Sequence, residues 1–328
     1  MKKKITIIEE TGAAGEVTAQ AVKVLSAVAE QYDHYFEGSG IRLAETPPFF
    51  SENAAAAATG SDALLFSGTA TEQAIKKTFP LVAMVQPVAV YPPLQHLSPL
   101  KPRHSEGMNL LIYQDQAAAT DENSRLRIAQ SAVQQAANRK KKISIVAEPE
   151  SSSSWQQVFE KIGKTTTEIH LEQVPLQTAW DLLLQQPAEF DIIVTDAAAG
   201  YYLFSQAAAI SGARLMIPSV RVTEAVPFFG PAFGFDQQNE NNKSNANPVG
   251  AILSVAMMLD YFGLHEEALI IRTAINWTLL HGFVSKDIDA VNNYSTGTIG
   301  DLVSDFIRGT IPGFAKGENM ALQKSTII

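Results

Sequence analysis

A short apolar run, Lys4–Ile8, is followed by a turn holding Thr11, Gly12 and Gly15. Val17, Ala21, Val24, Leu25 and Val28 come next, spaced to lie along one helical face. Strand, loop and helix then recur. Ala63–Phe66 reads as a strand, Thr71–Lys77 as a short helix, and Val88–Tyr91 as a strand stopped by Pro92 and Pro93. The middle of the chain continues with strand Leu110–Tyr113, helix Ser124–Asn138, strand Ile143–Ala147, helix Trp155–Ile162 and strand Ile169–Val174. Helix Thr178–Gln185 and strand Asp191–Thr195 complete it. Such alternation predicts an α/β fold with a parallel or mixed sheet.

From Phe229 to Pro248 the chain is rich in Gly, Pro and Asn. It then turns helical over Val249–Gly263, His265–His281 and Ile299–Ile307. With no strands between them, these late helices are expected to pack on a sheet formed earlier, which makes a discontinuous domain. Arg308–Ile328 has weak periodicity and reads as a tail or an arm.

A chain of 328 residues is long for a single core and suggests two lobes. Its net charge of −9 argues against nucleic acid, whose phosphates need clustered cations. The one compact basic run, Arg139–Lys142, ends a helical pattern, where cations oppose the helix dipole. There is no Cys, so disulfides, thiolate metal sites and thiol nucleophiles are excluded, which fits a cytoplasmic protein. Glu9 and Glu10 interrupt the N-terminal apolar stretch that a signal peptide would need. Asp260 lies within the best apolar run, Ala251–Leu264, so no membrane span is expected.

Two strings carry a family resemblance. PVAVYPPLQHLSPLKP at Pro87–Pro102 and NPVGAILSVAMML at Asn247–Leu259 resemble segments of the isocitrate and 3-isopropylmalate dehydrogenase family, in the family's order. Weaker similarity lies at Arg127–Glu148, Phe190–Gly200, Ser295–Val303 and Gly12–Val17, so that the resemblance covers roughly residues 4–308. It implies a two-lobed α/β fold that is not a Rossmann fold, and the sequence has no G-x-G-x-x-G. The first, cofactor-side lobe would join residues 1–91 to 231–328, and the second, dimer-forming lobe would be 92–230. The family's arm in that second lobe is cut down to Gln116–Ser124.

The resemblance also implies oxidation and decarboxylation of a 2-hydroxy acid with a nicotinamide cofactor and Mg²⁺ or Mn²⁺. The residues at the matching positions depart from that chemistry. Three arginines that would grip carboxylates bidentately are matched by Gln86, His96 and Gln114. Aspartates that would hold the metal are matched by Gln177, Tyr201 and Ser205, none of them an anion, with Asp181 and Asp196 nearby in sequence. The proton-carrying lysine is matched by Glu148, and the tyrosine of the shortened arm has no counterpart. Glu148 and Glu150 read either as a new carboxylate pair or as part of a polar loop capping the helix from Trp155. His96 reads either as a ligand when protonated or as an ordinary exposed histidine.

In the cofactor loop, the family's Glu-Pro-x-His-Gly is replaced by Gly230, Pro231, Ala232, Phe233 and Gly234, and the Asn-rich insert that follows reads as a loop. Gly234, Phe235 and Asn247 are left as the candidates for holding NAD(P). The expectation is a dimer, with itself or with a homologue, that lacks the metal-dependent reaction and has a neutral, hydrogen-bonding pocket lined by Gln86, His96, Gln114, Gln177, Tyr201, Tyr202 and Ser205. The alternative is an NAD(P)-dependent oxidoreductase acting on a weakly charged 2-hydroxy compound, with Tyr201, Glu148 or His96 as proton carrier.

Overall fold

A computed structural model describes residues 1–45, 48–117, 122–162, 168–235 and 244–310. The chain divides into two compact units. One comprises Met1–Pro80 and the described chain from Leu215 onward, and the other Leu81–Arg214.

The first unit opens with β1 (Lys2–Glu9), α1 (Gly12–Tyr32), β2 (Tyr35–Arg42) and a small antiparallel pair, β3 (Ala44–Glu45) and β4 (Pro48–Phe49). Then come α2 (Glu52–Thr59), β5 (Ala63–Leu65) and α3 (Thr69–Thr78). The second unit contains β6 (Leu81–Ala89), a 3₁₀ turn (Pro92–Leu97), α4 (Pro102–Ser105), β7 (Asn109–Asp115), α5 (Glu122–Ala137) and β8 (Lys142–Val146). It continues with α6 (Pro149–Ile162), β9 (His170–Gln173), α7 (Leu176–Gln185), β10 (Ile192–Asp196) and α8 (Ala197–Ser211). The chain then returns to the first unit with β11 (Pro218–Thr223), β12 (Phe228–Pro231), α9 (Val249–Tyr261), α10 (His265–Leu280) and α11 (Thr296–Arg308).

Strands of the first unit lie in the order β2-β1-β5-β12-β11, parallel except between β11 and β12. Val17, Val24 and Val28 bury the inner face of α1, which packs on α9 and α11. Helix α9 is buried almost all round, as its mostly apolar sequence requires. Strands of the second unit lie in the order β6-β7-β10-β8-β9, parallel except between β6 and β7.

The chain passes between the units at Pro80 and Arg214. Strand pairing accounts for these points, since β6 bonds along its length to β7, and β11 bonds to β12, which bonds to β5. Helix α6 starts at Pro149, so the serines expected to form a loop before Trp155 are instead its first turns. The Arg139–Lys142 run is spent on neighbours. Arg139 pairs with Asp191, Lys141 with Glu168 and Lys142 with Glu172, and Lys140 donates to the Ala188 carbonyl. The tail beyond Thr310 and most of the Asn-rich insert lie outside the described residues.

Candidate functional site

In parallel α/β sheets the strands' C-terminal ends are where ligands bind. The second unit brings Gln114 and Asp115 there from β7, Asp196 from β10 and Glu148 from just beyond β8.

Gln86 and Gln114 stand on adjacent antiparallel strands, diagonal to one another: Gln86 is paired with Ile112, and Gln114 with Met84. Both are buried, and the Gln114 side-chain amide donates to the Gln86 side-chain carbonyl. Gln116 donates to the Gln114 carbonyl oxygen at 3.4 Å. Helix α8 presses on this pair at Gly200, where a Cβ would lie 2.6 Å from Gln114 Cγ. Two positions expected to line an open pocket are thus a closed amide pair in the core.

Beside it is a buried ion network. Arg125 donates from Nε to Asp115 at 3.0 Å and from Nη1 to Ser154 at 2.7 Å. Its Nη2 reaches Ser151 at 3.1 Å and Asp196 at 3.5 Å. Its guanidinium also lies over the Trp155 ring, 5.2 Å from the centroid. The same Asp196 oxygen accepts from Ser151 at 2.8 Å and from the Trp155 indole at 3.3 Å. Burial raises the Asp115 carboxyl above its ordinary value, the Arg125 and Ala117 hydrogen bonds oppose this, and nearby Asp196 adds to it. Asp196 therefore serves the network, and Asp181 is exposed on α7. Next to Gln114 on β7, burial pushes the Tyr113 phenol up to about 12.

Glu148 and Gln177, both exposed, do meet. They line one cleft of about 650 Å³, together with Ser152, Ser153, Gln173 and Trp180 and an apolar remainder. Tyr201 and Ser205 lie on the exposed face of α8, where the Ser205 hydroxyl donates to the Tyr201 carbonyl at 2.7 Å. Tyr201 meets Tyr202 edge to face, and Tyr202 meets Trp180 in the same way. His96 is exposed on the 3₁₀ turn. The side chain of Glu150 lies outside the described set, so the carboxylate pair is reduced here to Glu148.

In the first unit one acid stands outside the positions that the family resemblance singles out. Glu10, just after β1, accepts from the backbone amides of Ser67 (2.7 Å) and Gly68 (2.8 Å) and from the hydroxyls of Thr71 (2.5 Å) and Thr18 (3.1 Å). Its carboxyl sits at the turn that leads into α3, bonded to the two amides just before the helix and to a hydroxyl of its first turn. Burial raises it above the ordinary carboxylate value against those four bonds. The signal was visible as two acids ending an apolar strand, but a sequence does not display their partners.

Against the same loop lies the expected cofactor segment. Phe235 exchanges backbone hydrogen bonds with Ser67 and Thr69, and a Cβ on Gly234 would sit 2.8 Å from the Thr69 nitrogen. Asn247 is buried, with Oδ1 accepting from the Val249 amide and Nδ2 donating to Asp287. The fold itself uses the Phe235 backbone, the close approach at Gly234 and the Asn247 amide. The positions matched to metal ligands supply an amide, a phenol and a hydroxyl. Among the described residues no three His, Cys, Asp or Glu side chains converge as ligands. This donor set does not fit Mg²⁺ or Mn²⁺.

Residues 114–303 match the sequence pattern of the isocitrate/isopropylmalate dehydrogenases. A 3-isopropylmalate dehydrogenase of Priestia megaterium is 30% identical, over 90% of this chain and 92% of its own. The chain belongs to the isocitrate/isopropylmalate dehydrogenase family. Solved structures agree on the fold. An isocitrate dehydrogenase from Methylococcus capsulatus superposes with a TM-score of 0.76 at 18% identity, covering 93% of this chain and 99% of its own. A β-decarboxylating dehydrogenase from Thermococcus kodakarensis gives 0.76 at 20%, covering 94% and 96%. The family and its two-lobed α/β fold, expected from the hinge and helix strings, are thereby established for this chain. No helix among the described residues is long and apolar enough to cross a membrane.

Proposed function

We propose that this family member does not carry out metal-dependent oxidative decarboxylation and works as a dimeric binding protein. The observation that carries the reading is the bond between Gln114 and Gln86. Where the family resemblance expects guanidinium groups free to hold carboxylates, two neutral amides are buried and satisfy each other. Asn247, held by Asp287 and Val249, supports it from the cofactor side, as does Glu10, saturated by four donors.

The dimer, with a second copy or a homologue, forms through the second unit, where Leu184, Tyr201 and Tyr202 expose apolar surface on α7 and α8. The absence of cysteine from the chain suits the cytoplasm. The test is a thermal-shift series with Mg²⁺, Mn²⁺, NAD⁺, NADP⁺, isocitrate, isopropylmalate and malate. Ligands of the native state raise its melting temperature by mass action. No shift is expected with any of them, and a Mg²⁺-dependent shift with a hydroxy acid overturns the reading.

A second reading rests on Glu148, an exposed carboxylate inside a cleft. Here the protein is an NAD(P)-dependent oxidoreductase of an uncharged hydroxy compound, with Glu148 as base and no metal. It predicts nicotinamide reduction that is lost in Glu148→Gln.

A further inference from the structure

The cleft of the second unit carries information about what it holds. It opens between the ends of β8 and β9 and the first turns of α6 and α7. Among the described residues Glu148 is the one charged side chain in its lining, so a carboxylate or phosphate ligand meets an anion and no guanidinium or ammonium. A cation is not favoured in its place. Two helix N-termini border the cleft, each equivalent to roughly half a positive charge, and they offset the attraction of a single exposed carboxylate.

The hydrogen-bonding groups are unevenly divided. Ser152 spends its hydroxyl proton on the Gln173 carbonyl oxygen at 3.0 Å, and Gln173 spends its amide on Gln156 at 2.6 Å. Ser152 and the Glu148 carboxylate face the cleft as acceptors, while Gln173 keeps its second N–H and Gln177, also in the lining, brings an amide that both donates and accepts. The ligand that suits them both gives and takes hydrogen bonds without a net charge, which means hydroxyl groups. Trp180 adds an indole wall, held edge to face by Tyr202 at 6.2 Å, and its negative π-face suits the C–H face of a saturated ring. A volume of about 650 Å³ accepts one such ring with its water.

We propose that this cleft binds a neutral polyhydroxylated ring of monosaccharide size, its adjacent hydroxyls hydrogen-bonded to Glu148, Ser152 and Gln173 and its apolar face lying on Trp180. This ligand class rests on the reading of the protein as a binding protein.

The full chain is titrated by calorimetry with a hexose and pentose set and with myo-inositol. Malate and ethanolamine serve as the anionic and cationic probes. Saturable binding of at least one neutral ring is expected, weakened about tenfold by Glu148→Gln and by Trp180→Ala. That is the effect of losing about 1.4 kcal/mol, within the range for one hydrogen bond to a charged group. Both side chains are at the surface, and unchanged melting temperatures show that the variants fold. Binding of malate or ethanolamine with the same dependence on Glu148, and of no neutral ring, overturns the ligand class and leaves the binding-protein reading standing. Binding of none of them overturns the inference alone. The binding-protein reading fails separately, on Mg²⁺-dependent nicotinamide reduction.

Discussion

Gln114 donates its side-chain amide to the side-chain carbonyl of Gln86 across the β6–β7 pair, and both residues are buried. A buried donor and acceptor that satisfy each other are a coupled unit, since removing one strands the other. Gln86→Leu and Gln114→Leu are each expected to destabilise the protein by about 1–3 kcal/mol, and the double variant by less than their sum. Urea unfolding of the four proteins measures the coupling. Strict additivity means that the two amides do not depend on one another.

Gly200 is the point at which α8 closes on that pair. A methyl group there meets Gln114 Cγ at 2.6 Å, and Thr195 also crowds it. Gly200→Ala is expected to cost about 1–3 kcal/mol, the usual penalty of overpacking a filled core. A melting temperature equal to that of the parent protein refutes the contact.

Arg125 holds Asp115, Asp196, Ser151 and Ser154 together with very little solvent access. Arg125→Met leaves the buried Asp115 carboxylate without its partner, and a loss of about 3–5 kcal/mol is expected. Asp115→Leu added to Arg125→Met removes the stranded charge and recovers a large part of it. If the double variant is as unstable as Arg125→Met, charge is not the cause.

Glu10 gives the pH dependence a direction. Burial raises its carboxyl above the ordinary value even against four hydrogen bonds, so the folded protein binds this proton more tightly than the unfolded chain. Its contribution to stability is fully present below the ordinary carboxylate value and is lost as pH rises through the raised one. The stability advantage of the parent protein over Glu10→Gln is therefore expected to shrink as pH rises from the ordinary carboxylate range through neutrality. Denaturant titrations across that range follow it, and an advantage that grows with pH contradicts the assignment.

The elements that sequence reading found are those whose burial is one-sided. Val17, Val24 and Val28 announce α1 because the opposite face of that helix is polar. Helix α8 went unread because Ala197–Gly200 and Ala207–Ile210 are small or apolar all round, leaving no period to see. Strand β2 was hidden by its two glycines and exposed polar residues, and β12 by a Gly-Pro end. At the site, the segments resembling the family pointed to Gln86, Gln114, Gln177 and Asn247. They could not show that Gln86 and Gln114 bond to each other, which depends on strand register, or that Asn247 is tied to Asp287. Glu10 and Arg125 were missed for the same reason. Their partners are brought to them only by the folded sheet.

The central claim, that the family's reaction has been lost, is tested most directly by a turnover assay. Purified protein is given NAD⁺ or NADP⁺ with Mg²⁺ or Mn²⁺ and, in turn, isocitrate, 3-isopropylmalate, malate and tartrate, and nicotinamide reduction is followed at 340 nm. No rate above that of the protein-free mixture is expected with any pair. Saturable, metal-dependent reduction at an ordinary enzymatic rate, on the order of 1 per second or more, contradicts it.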